Sequence, residues 1–172
     1  MTGTGDQAIA LRKVLVIGLG NADRGDDAVG PSVAQDLRAR LPADVPVIAR
    51  RGDMLSLIED WAGFDALVCV DAAAPLEGPG RIHRIDLRAG ALPKGISLTS
   101  SHALGLAQAI ELACTLHLAP REIIVYAIEG GSFEPGAAMT PAVAAAARVV
   151  AERIVAEVGR LRYDSIEEVS DA

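Results

Sequence analysis

Three apolar stretches do most to limit the fold: KVLVIGLG from Lys13, DALVCVDA from Asp65 and EIIVYAIE from Glu122. Each is short, and each lacks a polar face. They read as parallel strands buried on both sides. Between them the apolar spacing becomes helical. In DDAVGPSVAQDLRARL, Val29, Val33, Leu37 and Leu41 recur every four residues, with acids first and arginines last, as a helix dipole favours. MLSLIEDW and SHALGLAQAIELACTLHL read as the second and third helices. TPAVAAAARVVAERIVAEV is the last, with Thr140 as cap and Pro141 in its first position. VPVIA adds a strand, and GRIHRIDLR, with its less clean alternation, an edge strand antiparallel to the rest. This order implies an α/β fold, a three-layer sandwich whose twisted, mostly parallel central sheet carries helices on both faces. The 172 residues form a single domain, with a folded core of about 13–158, a polar N-terminal arm and a polar tail from Gly159.

Charge narrows the partners. A formal charge of -7 and an aromatic content of only 3% argue against nucleic acid and leave a cation as the better ligand. Neither a leader peptide nor a membrane span is visible, so a cytoplasmic protein with no membrane association is expected; a monomer that meets its partner transiently is expected as well. Cys69 and Cys114 form no C-x-x-C pair and read as small buried thiols of a reducing compartment.

Ligands of such folds bind beyond the carboxyl ends of the strands. The first such end is GLGNADRGDD, where Gly18 and Gly20 begin a dinucleotide fingerprint but Asp23 stands in place of its third glycine. Asp26 and Asp27 follow at the helix start. At ~4 Å and an effective dielectric near 20, one like-charge contact with a phosphate costs about 4 kcal/mol. A helix terminus returns only ~1 kcal/mol, so the loop repels phosphate. One acid suffices to cap the helix, which suits Asp26 and leaves Asp27 over. Asp71 ends the third core strand, where it is either a turn former or functional. Cys69 shares its face and is either a thiolate ligand or a core residue. His102 opens the third helix behind Ser101, where the dipole favours a neutral, ligating ring. His83 and His117 read as surface residues.

Two acids and a histidine, Asp27, Asp71 and His102, thus fall on one edge of the sheet. Oxygen and imidazole donors suit zinc, nickel and similar divalent ions. Serine and cysteine hydrolase arrangements fit poorly. GGSFE ends in Glu134 and Pro135 where a nucleophile elbow needs glycine and a helix. His102 and Cys114 lie ~18 Å apart along one helix.

With these residues in view, the chain resembles the hydrogenase maturation proteases, endopeptidases that finish the large subunit of [NiFe] hydrogenases. VLVIGLGNADRGDDAVG, LVCVDAAAP, SSHALGLAQAIELA and YAIEGGSFEPGAAMTPAV are similar to that family's four blocks, in order, from about Val14 to Val158. The resemblance implies a metal site made by Asp27, Asp71 and His102. It also implies one cut that removes a C-terminal extension from the large-subunit precursor after nickel insertion. The nickel then belongs to the substrate, and the three residues test for it; zinc or another divalent ion can take its place. Whether the metal polarises the scissile carbonyl or a carboxylate acts as general base stays open. A nickel-sensing chaperone that does not cleave is the alternative. Glu129 reads as a loop glutamate or a supporting partner of the site. ARRGD departs from the family, which often carries an acidic segment before that glycine, thought to take part in substrate recognition; the reversal bears on which hydrogenase is processed.

Overall fold

The computed structural model describes residues 11–51, 53–87, 95–97 and 106–163. In chain order these form β1 (Val14–Leu19), a 3-10 turn (Gly25–Ala28), α1 (Val29–Arg38), β2 (Val47–Arg50), α2 (Met54–Trp61), β3 (Ala66–Ala73), β4 (Ile82–Asp86), α3 (Leu106–Thr115), β5 (Glu122–Glu129) and α4 (Pro141–Tyr163). The sheet runs β2-β1-β3-β5-β4, with β4 antiparallel to β5 at one edge and every other pairing parallel. The expected α/β sandwich is the observed one.

β1, β3 and β5 are buried throughout because alternate residues enter two cores. Val14, Val16, Val68 and Ile124 meet Val33 and Leu37 of α1 and Val150 and Ile154 of α4. Leu15, Ile17, Leu67 and Val125 meet Leu57 and Trp61 of α2 and Leu106 and Ala109 of α3. Each such side chain contributes ~1.5–3 kcal/mol by leaving water. The edge strand sends Ile85 into the second core and Ile82 against the first, and polar contacts add to this. Glu157 of α4 accepts hydrogen bonds from Arg84 of β4 at 2.8 Å and from the Tyr126 hydroxyl of β5 at 2.9 Å. The Arg84 bond, above all, holds the Glu157 carboxyl down at about 2.

α1 crosses β1 where neither has a side chain. A Cβ on Gly18 would come within 2.1 Å of the Gly30 carbonyl oxygen, and one on Gly30 within 2.0 Å of that of Leu19. Gly30 therefore supplies the close helix–strand packing that a third fingerprint glycine provides elsewhere.

Four local expectations are corrected. The acids lie in the 3-10 turn, and neither it nor α1 has a side-chain cap; α1 ends at Arg38, short of Leu41. α4 runs through Gly159 to Tyr163, with Leu161 and Arg162 buried, so the folded core passes the expected limit at Val158. The Arg12 amide donates to the Arg162 carbonyl at 3.2 Å, which helps hold that last turn. Cys69 is a buried free thiol as expected, but Cys114 is exposed on α3. Among the described residues no helix is long and apolar enough to cross a membrane.

Candidate functional site

Asp71 sits within β3, which continues to Ala73, so it is a strand residue and not a turn former. Alternation sends it to the face of Cys69 and Ala73. It is fully buried, and among the described residues neither carboxylate oxygen has a hydrogen-bond partner of good geometry. Burial first, and the charge of Asp27 second, push its carboxyl well above the usual carboxylate range; the adjacent Ala72 amide moderates this. The same burial pushes the Cys69 thiol up, with Asp71 adding to it. Cys69 itself packs in the second core, where the plainer sequence reading puts it.

Asp27 reaches the site from the other side. Gly20 has a φ of +137°, and a Cβ on it would fall 2.0 Å from the Asp27 carbonyl oxygen and 3.1 Å from Oδ1. Only glycine allows this approach. The Asn21 amide beyond it donates to Asp27 Oδ2 at 3.0 Å, while Oδ1 has no hydrogen-bond partner among the described residues. Burial raises the Asp27 carboxyl more than the Asn21 amide and the charge of Arg24 lower it. The glycine turn thus places a carboxylate beside a second one on β3.

Three orphaned carboxylate oxygens at a strand end fit a divalent cation, which hard and borderline ions bind through such donors. Among the described residues no group of three Asp, Glu, His or Cys forms a metal cage. His102, the third ligand expected, lies outside the described residues, as does its Ser101 cap. Ser97, which is described, is held at the end of β3: the Ala74 amide donates to its carbonyl at 2.8 Å.

Asp26 behaves differently from Asp27. Its carboxylate accepts from the amides of Gly131 at 2.7 Å, Ser132 at 3.0 Å and Thr140 at 2.7 Å, and from the Thr140 hydroxyl at 2.9 Å. Burial opposes its charge, but these donors together hold the carboxyl below its usual value. Thr140 keeps the cap position of α4, its carbonyl accepting from the Ala144 amide at 2.9 Å, but its hydroxyl serves Asp26.

Glu129 is the last residue of β5, buried rather than in a solvated loop. It accepts from the amides of Leu76 at 3.1 Å, Glu77 at 2.9 Å and Gly78 at 2.6 Å, and lies 2.9 Å from His83 Nε2. His83 is accordingly half-buried, not a surface histidine, whereas His117 is exposed beyond the end of α3. Burial works against the Glu129 charge. The Gly78 amide, His83 and the other amides outweigh it and hold the carboxyl at about 2. A carboxyl lowered by folding stabilises above its ordinary value of 4.5, and that contribution is lost as pH falls towards 2. Glu129→Gln is therefore expected to melt below the wild type at pH 7, with the gap closing between pH 4.5 and 2; thermal melts across that range check it. A gap independent of pH would show that the charge is not what matters.

In ARRGD, Arg50 is committed to Asp60 through two hydrogen bonds of 2.7 and 3.0 Å. Asp53 caps α2, accepting from the Ser56 amide at 3.2 Å. Arg51 is exposed and lines a groove with Gly20, Asn21, Asp23 and Pro31, on the outer side of the loop that holds Asp27.

Comparison with known proteins agrees with this fold. The sequence model of the hydrogenase maturation protease family matches residues 32–157. The Hydrogenase 2 maturation protease of Escherichia coli (strain K12) is 27% identical over 161 residues, covering 91% of this chain and 95% of its own. The structure of the hydrogenase maturating endopeptidase HybD from E. coli superposes with a TM-score of 0.71 at 26% identity, over 86% of this chain and 93% of that one. The [NiFe] hydrogenase maturation protease HybD from Thermococcus kodakarensis, at 19% identity, shares the fold, with a TM-score of 0.67 over 85% of this chain and 99% of its own. Fold and relatives together define an endopeptidase. The chain belongs to the hydrogenase maturation protease family.

Proposed function

We propose that this endopeptidase removes the C-terminal extension of a [NiFe] hydrogenase large-subunit precursor once nickel has been inserted. Asp27, Asp71 and His102 recognise the nickel as cargo of the substrate. The observation that carries the reading is a pair of buried, neighbouring carboxyl groups, of whose four oxygens only Asp27 Oδ2 has a hydrogen-bond partner of good geometry among the described residues. Such a pair is unfavourable in the isolated protein and is relieved by a divalent cation, which gives discrimination between loaded and empty substrate. Held by Asp27, Asp71 and His102, the ion would polarise the scissile carbonyl, unless a carboxylate acts as general base and the ion serves recognition alone. The protein's own carboxylates orient it, and the packed strand ends exclude water from it.

The test is cleavage of the precursor, with and without nickel loaded, read by mass spectrometry as loss of the C-terminal segment. Wild-type protein is expected to cut only the loaded form, and His102→Ala to cut neither. Nickel-dependent binding without cleavage would instead make this chain a sensing chaperone. Equal cutting of both forms would remove nickel from the mechanism.

A further inference from the structure

We propose that Asp26 is a positioning residue. By anchoring the connection between β5 and α4 to the acid turn, it fixes where Asp27 stands. The inference rests on the role proposed for Asp27. Among the described residues the Asp27 side chain is held by one hydrogen bond, from the Asn21 amide. Its placement must therefore come from the backbone of its turn. That backbone is joined to the connection residue by residue. The Asp26 carboxylate collects the amides of Gly131, Ser132 and Thr140 and the Thr140 hydroxyl. The Asp26 amide returns a bond to the Ser132 carbonyl at 2.8 Å, the Gly25 amide reaches the Ala137 carbonyl at 3.1 Å, and the Gly136 amide reaches the Asp23 carbonyl at 2.7 Å. Arg24 Nε donates to the Phe133 carbonyl at 3.1 Å. The two loops form one unit, and the Asp26 carboxylate accepts from both ends of the connection, at Gly131 and at Thr140.

The adjacent acids thus divide the work. Both faces of the Asp26 carboxylate receive N–H donors, so an asparagine must turn its own NH₂ against one set whichever way it rotates. Thr140→Val removes only the hydroxyl and keeps the shape. The experiment measures melting and steady-state processing of the nickel-loaded precursor for full-length Asp26→Asn, Thr140→Val and Asp27→Asn, at a temperature where each is folded. Zn²⁺ affinity of each chain alone is measured by calorimetry. The expected result for Asp26→Asn is a kcat lower by at least a hundredfold with KM within twofold, and Zn²⁺ bound at least tenfold more weakly. Thr140→Val should lose about fivefold in kcat without a change in KM, and it decides the matter should Asp26→Asn fail to fold. Wild-type kcat in the folded variants, with Asp27→Asn inactive, would overturn the positioning role alone. Wild-type processing by Asp27→Asn would overturn the reading of the site.

Discussion

Asp71→Asn should yield a protein that melts at a higher temperature than the wild type and cleaves almost nothing. The carboxyl is fully buried without a hydrogen-bond partner of good geometry among the described residues, and Asp27 stands beside it. An uncompensated buried polar group costs about 1–3 kcal/mol, more when charged. Asparagine keeps the shape and removes the charge. A gain on the order of 2 kcal/mol corresponds to roughly 4–8 °C in a chain of this size. The sign of its pH dependence follows from the direction of the shift. A carboxyl raised by folding contributes stability fully present below its ordinary value of 3.8, and lost as pH rises through the folded value. The variant's advantage should therefore vanish near pH 3 and open as pH rises, measured by melts in the presence of a chelator. Processing of the precursor should fall on the order of 10²–10³-fold, as when one electrostatic group at a reacting centre is removed. Lower stability of the variant at pH 7, or retained cleavage, would contradict this account of Asp71.

Gly30→Ala should have the largest effect on folding. The added methyl would lie 2.0 Å from the Leu19 carbonyl oxygen and 2.5 Å from its amide nitrogen. Both belong to the buried strand β1, so neither can yield as a flexible side chain does. Overpacking usually costs 1–3 kcal/mol, and here the helix must move away from the sheet, so about 3–5 kcal/mol is expected. That is roughly 10 °C or more of melting temperature. Since α1 follows directly on the turn that carries Asp27, processing should fail even in the folded fraction. Gly159→Ala is the counterpart. It lies inside α4 with nothing within 4 Å of an added Cβ. Replacing a helical glycine there should stabilise by about 1 kcal/mol. Differential melting of the two variants gives opposite signs; two changes of the same sign would mean that the α1–β1 crossing is looser than described.

The sheet was legible because its central strands are uninterrupted apolar runs, which few other arrangements can bury. The edge position of β4 was legible from its mixed alternation. What the sequence hid has a common cause. α4 passes Gly159 because Leu161 is buried against the first core and the chain near Arg12 pairs with its end. Glycine and two arginines in the local sequence point the other way. Glu129 looks like any loop glutamate because its partners are backbone amides and a distant histidine, none of which leaves a mark in the surrounding sequence. Asp26 and Asp27 are chemically alike, and the donors that hold Asp26 lie more than a hundred positions away. Of the candidate site, the sequence shows Asp27 and Asp71 as acids near the ends of β1 and β3, and the fold sets the two side by side.

The amides gathered around the carboxyl edge of this sheet have a wider consequence. Open α/β sheets ordinarily receive phosphates there, through unpaired backbone N–H groups. Here the chain has answered those donors from within: Glu129 occupies the nest of Leu76, Glu77 and Gly78, Asp26 that of Gly131, Ser132 and Thr140, and Asp27 takes Asn21. An architecture suited to anions is thereby filled with its own, and the capacity left over has the opposite polarity.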